Sequence, residues 1–176
     1  MASKADWVRL LRPGCRLLLG ICLAAMPTAA MAANNCAWIN DATASGLLGG
    51  DAAADVTTPA AAGEPTVCTF TQMSAGAKRI LRIAVEISTD AHARVGAIAQ
   101  SCGSGAFPLK AIGNEAVACS VDSKKEGLSE RAVGRVRDQV FTITIGSTQN
   151  NDPILTREAL KARIYTAAEQ VAGNLF

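Results

Sequence analysis

The chain has 176 residues, 49% hydrophobic, 4% aromatic and 18% charged, with a formal net charge of +2. Four of its 17 basic residues and one of its 15 acidic ones fall within residues 1–32, so residues 33–176 carry 13 basic against 14 acidic side chains, a net −1 with His92 neutral. That balance leaves no global positive field to attract nucleic acid or an anionic membrane, and so few aromatic rings exclude a surface built for stacking on bases or sugars.

Residues 1–32 read as a secretory signal. Lys4, Arg9, Arg12 and Arg16 outweigh Asp6, an apolar run follows from Leu17 to Ala25, Pro27 interrupts it, and Ala30-Met31-Ala32 offers small residues at a cleavage site. Cleavage there leaves a chain starting at Ala33, long enough for one domain with one core. The apolar run is shorter than the roughly 20 residues of a spanning helix, which argues against an uncleaved anchor. Leu19 stands three places before Cys22, as in a lipoprotein signal, but Ile21 occupies the position where a small residue is needed beside the scissile bond. There is no twin-arginine pair. The expected location is therefore periplasmic or secreted, by the general export route, with no transmembrane segment in the domain.

The domain opens on Trp38 and Ile39, both expected in the core. Asp41 is expected to cap a helix over 42–48, stopped by Gly49-Gly50. Residues 51–65, rich in Ala, Thr and Pro without a period, read as a loop with little chemistry. Residues 66–73 alternate as a strand with Cys68 and Phe70 on one face. Residues 78–88 form the clearest strand, with Leu81, Ile83, Val85 and Ile87 on one side and Arg82 and Glu86 on the other, the pattern of an antiparallel sheet wet on one face. A helix follows from Thr89 or Asp90 to about Cys102, its stripe made by Ala91, Val95, Ile98, Ala99 and Cys102, and Gly103 and Gly105 end it. Residues 116–121 alternate again, with Val117, Cys119 and Val121 together. Residues 130–136 and 139–146 read as a hairpin across Arg137-Asp138. A last helix begins at Asp152-Pro153 or Thr156 and carries Leu160, Ile164, Ala168, Val171 and Leu175 at helical spacing. The order α-β-β-α-β-β-β-α predicts an α+β two-layer sandwich, an antiparallel sheet of about five strands packed by helices, as one domain over 33–176.

Cys36, Cys68, Cys102 and Cys119 remain after cleavage, and an even count in an oxidising compartment reads as two disulfides. The count leaves three pairings open. Cys36–Cys68 with Cys102–Cys119 is favoured, because each joins segments adjacent in sequence. Gaps of 32, 34 and 17 residues lack the close C-x(2–4)-C pairs of a structural zinc site, and there is no redox CxxC.

Trp38 with a helix ending Leu47-Leu48-Gly49-Gly50, then Cys68-Thr69-Phe70, then Ile112-Gly113-Asn114-Glu115-Ala116, the hairpin from Val133 to Ile145 and an amphipathic last helix follow in that order. Together they resemble the small secreted or lipid-anchored bacterial proteins grouped as domains of unknown function. The resemblance implies export and an α+β fold, and no catalytic residues.

No catalytic set emerges from the residues. His92 is the single histidine, there is no G-x-S-x-G elbow for a serine nucleophile, and disulfide pairing removes the thiols. Asp51 with Asp55, and Glu126 with Glu130, lie near polar loops without an indicated cleft. No calcium loop or nucleotide-binding glycine motif is present, and no metal or cofactor is expected. The best binding candidates are Arg131, Arg135 and Arg137, which share a strand face with Val133, with Lys124 and Lys125 in the loop before. The expected function is an exported, non-enzymatic domain that binds a protein partner or a cell-envelope component. Two alternatives stand beside it. One is a carrier of a small apolar ligand, in a cavity lined by residues such as Leu81, Ile83, Phe141 and Leu160. The other is a hydrolase with an unrecognised site, for which His92 would be the first residue to test.

Overall fold

A computed structural model describes residues 35–74, 76–122 and 127–176. The expected signal, its cleavage site, Ala33, Lys124, Lys125 and Glu126 lie outside the described residues. Those of 33–176 form one compact unit.

The first helix, α1 (Asp41–Leu48), is capped one residue earlier than expected. The Asn40 Oδ1 accepts from the Thr43 N–H at 2.8 Å, and Asp41 becomes the acidic first residue. Gly49 closes the helix in the left-handed conformation at φ 76°. The expected loop over 51–65 is in part a strand, β1 (Ala53–Thr57), laid along the outer edge of β2 (Thr66–Ser74). β2 turns into β3 (Ala77–Ile87), and α2 (Ala91–Ala99) follows, with the Asp90 carboxylate accepting from the Ala93 N–H at 3.0 Å. A 3-10 segment, Gln100–Gly105, leads to the two-residue β4 (Phe107–Pro108) and then β5 (Glu115–Ser120). β6 (Leu128–Val136) and β7 (Gln139–Ser147) form the expected hairpin, in which Arg137 takes a positive φ of 57°. α3 (Arg157–Gly173) starts from Thr156, whose hydroxyl accepts from the Ala159 N–H.

All seven strands join one antiparallel sheet in the order β1-β2-β3-β7-β6-β5-β4. Seven strands replace the expected five, because the edges β1 and β4 carry weak sequence patterns. The main core lies on the face covered by α1 and α3. There Leu48, Phe70, Leu81, Ile83, Phe141, Ile143, Ile145, Leu160 and Ile164 are fully buried. Each such side chain contributes about 1.5–3 kcal/mol by leaving water. Leu81, Ile83, Phe141 and Leu160, the residues expected around an apolar ligand, belong to this core, and neither the depression described below nor the one beside Asn35 and Asn40 is lined by them. Ile87, expected on the buried side, is 71% exposed because it is the last rung of the β3–β7 ladder.

The two-layer description holds for only part of the sheet. Side chains alternate along β6 and β7, so Val133 and Val140 point away from Ala132 and Phe141. With Val117 they form a second, smaller core under Ala91 and Val95 of α2. This helix covers the opposite face of the sheet at the β5–β6–β7 side, and there the molecule has three layers.

The two disulfides are Cys36–Cys68 and Cys102–Cys119. The first ties the segment before α1 to β2 within the main core. The second ties the 3-10 segment to β5 on the α2 side of the sheet, and Cys119 is fully buried beneath it.

A polar cluster crosses the main core. Arg79 on β3 and Asp152 before α3 are 3% and 2% exposed and pair through two hydrogen bonds, at 2.7 Å from Nε and 2.9 Å from Nη2. The Asp152 carboxylate also accepts from Ser147 Oγ and from the N–H groups of Ile154 and Leu155. Arg79 Nη1 donates to Gln72 Oε1 at 3.1 Å and to the Leu48 carbonyl at 3.4 Å. One buried pair thus joins the end of α1, the β2–β3 hairpin, β7 and the approach to α3.

Candidate functional site

α2 covers half of one sheet face and leaves the other half open. Register puts one row of side chains straight across it: Thr69 opposite Arg82, Arg82 opposite Thr144, Thr144 opposite Arg131, and Arg131 opposite Cys119. The neighbouring row runs Thr71, Ile80, Gly146, Ser129. Between these rows lies a depression of about 310 Å³, lined chiefly by Lys78, Ile80, Arg82, Arg131, Thr144 and Gly146. The floor is low because position 146 has no side chain; a Cβ there would meet Ser129 Cβ at 2.6 Å and the Leu128 carbonyl at 2.7 Å.

The depression is basic. Three cations line it and, among the described residues, no carboxylate does. Acidic groups elsewhere on this face are engaged: Glu86 pairs with Arg94 at 2.5 Å, and Glu115 pairs with Arg135 at 2.5 Å and with His92 at 2.7 Å. The hydrogen bond from Arg135 is the main reason the Glu115 carboxyl stays below its ordinary range. Asp55 stands at the far edge of the Arg82 row, beyond Thr69. Among the described residues Lys78 and Arg82 have no ion pair. Arg131 donates from Nη1 to Ser101 Oγ at 3.2 Å, and its Nε is buried with no acceptor among the described residues. Ser101 is held there by its neighbour, since the Cys102–Cys119 bridge pins the 3-10 segment beside the register partner of Arg131.

The three expected arginines therefore occupy three environments. Arg131 lines the depression. Arg135 lies on the same face, but α2 docks on Val133 between them, and Arg135 is bound to Glu115 and to the Arg137 carbonyl. Arg137 is exposed at the hairpin tip, where its backbone N–H donates to Asn114 Oδ1. Sequence reasoning passed over Lys78, Ile80 and Thr144. The alternation of β3 already set Arg82 on the wet face; what was missing was the pairing of β3 with β7, which brings that face beside Arg131.

Two other clusters carry titratable groups. His92 is 77% exposed by its side chain, and its acidic partner among the described residues is Glu115. Glu130, fully buried on the α3 side of the sheet, accepts from Ser120 Oγ at 2.5 Å through Oε1, lies 4.0 Å from Arg157 Nη1, and has no donor at Oε2 among the described residues. Among the described residues no group of three or more His, Cys, Asp or Glu side chains is placed to hold a metal ion, and no helix is long and apolar enough to cross a membrane.

In comparison with known proteins, the chain matches no protein-family model, no curated protein and no solved structure.

Proposed function

We propose that the chain is exported, is cleaved after Ala32, and acts in the periplasm or outside the cell as a non-enzymatic binding domain whose open half-sheet holds an acidic component of the cell envelope. The observation that carries this reading is the depression between Lys78, Arg82 and Arg131: three cations on one sheet face with no carboxylate among the described residues that line it. Strands hold such groups in place more firmly than loops do, so an acidic ligand meets a prearranged surface. Two disulfides suit an oxidising compartment. An envelope component is favoured over a protein partner because the face is made of threonine and cationic side chains around a half-buried Ile80. Stable protein interfaces have a larger apolar centre.

The test is sedimentation of the oxidised protein with isolated cell envelopes. Retention is expected at low salt and is expected to fall about tenfold or more when Lys78, Arg82 and Arg131 are changed to Ala together, and likewise on raising the salt. Retention unaltered by the triple change would end the reading. The mass of the periplasmic species, residues 33–176 less four hydrogens, checks export and oxidation in the same preparation.

A further inference from the structure

We infer that the depression is a phosphate site, in which Arg82 and Arg131 close from opposite sides on one phosphomonoester group seated above Thr144, with Lys78 as the outer cation. This deepens the binding-domain reading and rests on it.

The geometry begins with register. Arg82, Thr144 and Arg131 are direct neighbours on three adjacent strands, so their Cα atoms lie in a row at intervals of about 4.8 Å, with all three side chains on one face. Two guanidinium groups rooted roughly 10 Å apart can lean inward over the residue between them. That residue carries a hydroxyl with no partner among the described residues. Gly146, diagonal to Arg131, sends no side chain up into the meeting point, and a Cβ there would collide with Ser129 and the Leu128 carbonyl.

The second observation is the state of Arg131 itself. Its Nη1 is on Ser101, but Nε is shut away from water without an acceptor. A buried unsatisfied donor destabilises the state that holds it. Among the described residues that line the depression no acceptor answers it. An oxyanion drawn in by Arg82 would supply the acceptor once the guanidinium turns toward Thr144, and the planar fork of Arg131 would then engage two oxygens.

The stoichiometry of donors selects the ligand. Two arginine forks, a hydroxyl and an ammonium need more acceptor oxygens than a carboxylate has. A phosphomonoester offers three terminal oxygens and a charge of about −1.5 to −2 at pH 7, against three positive charges. The space of about 310 Å³ exceeds a bare phosphate and stands at the small end of ligand sites, which suits a phosphate carried on a small polar group such as a sugar or a headgroup.

The experiment follows the arginine Nε–H resonances of the oxidised protein by nitrogen-15 NMR, at fixed ionic strength, during titration with inorganic phosphate, a hexose phosphate and acetate. Phosphate and hexose phosphate are expected to shift the Arg131 and Arg82 signals first and saturably, with acetate at least tenfold weaker. Arg131→Lys and Arg82→Lys keep the charge and lose the fork, and each is expected to weaken phosphate binding by about ten- to a hundredfold with the remaining spectrum unchanged. Vesicles of phosphatidylcholine with and without phosphatidic acid tell a lipid-borne phosphate from a soluble one; capture of either source through these arginines upholds the site. Acetate binding as well as phosphate, a lysine variant binding like the parent, or no response at Arg131 Nε would overturn it. If phosphate fails while envelope retention still depends on the three cations, the phosphate assignment falls and the binding-domain reading stands; if both fail, both fall.

Discussion

Asp152→Ala is expected to be among the most damaging single substitutions in this protein. The carboxylate is 2% exposed and accepts five hydrogen bonds: two from Arg79, one from Ser147 Oγ and two from the N–H groups of Ile154 and Leu155. Its loss leaves the Arg79 guanidinium, 3% exposed, buried with only Gln72 and the Leu48 carbonyl as acceptors. Breaking a buried pair from one side costs about 3–5 kcal/mol. With an unfolding entropy near 2.1 cal/mol/K per residue over a domain of about 140 residues, that corresponds to a fall in Tm of about 10–17 °C. Urea and thermal melts followed by circular dichroism measure both quantities. The double variant Arg79→Met with Asp152→Ala removes the stranded charge and is expected to be more stable than Asp152→Ala alone. The pH dependence has a definite sign. Burial pushes the Asp152 carboxyl up, but the hydrogen bonds from Arg79, Ser147, Ile154 and Leu155 outweigh it and hold the group well below the usual carboxylate range. A depressed folded-state pKa gives stability that is fully present above the unfolded value near 3.9 and is lost as pH falls from there toward the folded value. The gap between wild type and Asp152→Ala is therefore expected to narrow below about pH 4. A loss under about 1 kcal/mol, a double variant no better than the single one, or a gap that stays constant in acid would refute the assignment of this pair as the central polar tie.

Two further outcomes follow from other buried groups. Replacing Cys36 and Cys68 by Ala opens a 32-residue loop, and replacing Cys102 and Cys119 opens one of 17. Chain entropy then predicts losses of about 3.7 and about 3.1 kcal/mol, so urea midpoints should fall in both variants and slightly further in the first; midpoints unchanged from the parent would contradict this. Glu130→Gln keeps an oxygen for Ser120 Oγ and removes a buried charge whose second oxygen has no donor. It should leave Tm unchanged or raise it by the equivalent of about 1–3 kcal/mol, and a clear fall would show that the charge stabilises the fold.

Most of the interior could be read from the chain. Alternation located β2, β3 and the β6–β7 hairpin within a residue or two, and the spacing of Leu160, Ile164, Ala168 and Val171 located the buried side of α3. β1 was missed because Ala53-Ala54-Asp55-Val56-Thr57 has little strand propensity of its own; it is a strand because five rungs of backbone pairing with β2 make it one. β4 is two residues long and contains Pro108, which an edge position tolerates. The side of the sheet that α2 occupies was illegible for another reason. Its stripe fits either face, and Val133 sits between Arg131 and Arg135 in a pattern that reads as solvent-facing. The open half-sheet inherits that difficulty, since Arg82 and Arg131 are 49 positions apart and meet only through β7. Arg79 and Asp152, 73 residues apart, carry no local pattern.

The strand order has a temporal consequence. Two meanders, β1-β2-β3 and β4-β5-β6-β7, each run from an outer edge inward and meet along the β3–β7 seam, which pairs Arg79 with Ser147 and Ile87 with Gln139. Neither meander can cover its innermost, most apolar strand until the other arrives, and β7 is the last of the seven strands in chain order. A nascent chain with this architecture cannot close its sheet until β7 has been made. The long-range seam also makes completion slow, since loop closure over such a distance precedes the contacts that reward it. Under the export proposed above, a chain that crosses a membrane unfolded and pairs its cysteines on the far side would be well served by a sheet that closes from the middle last.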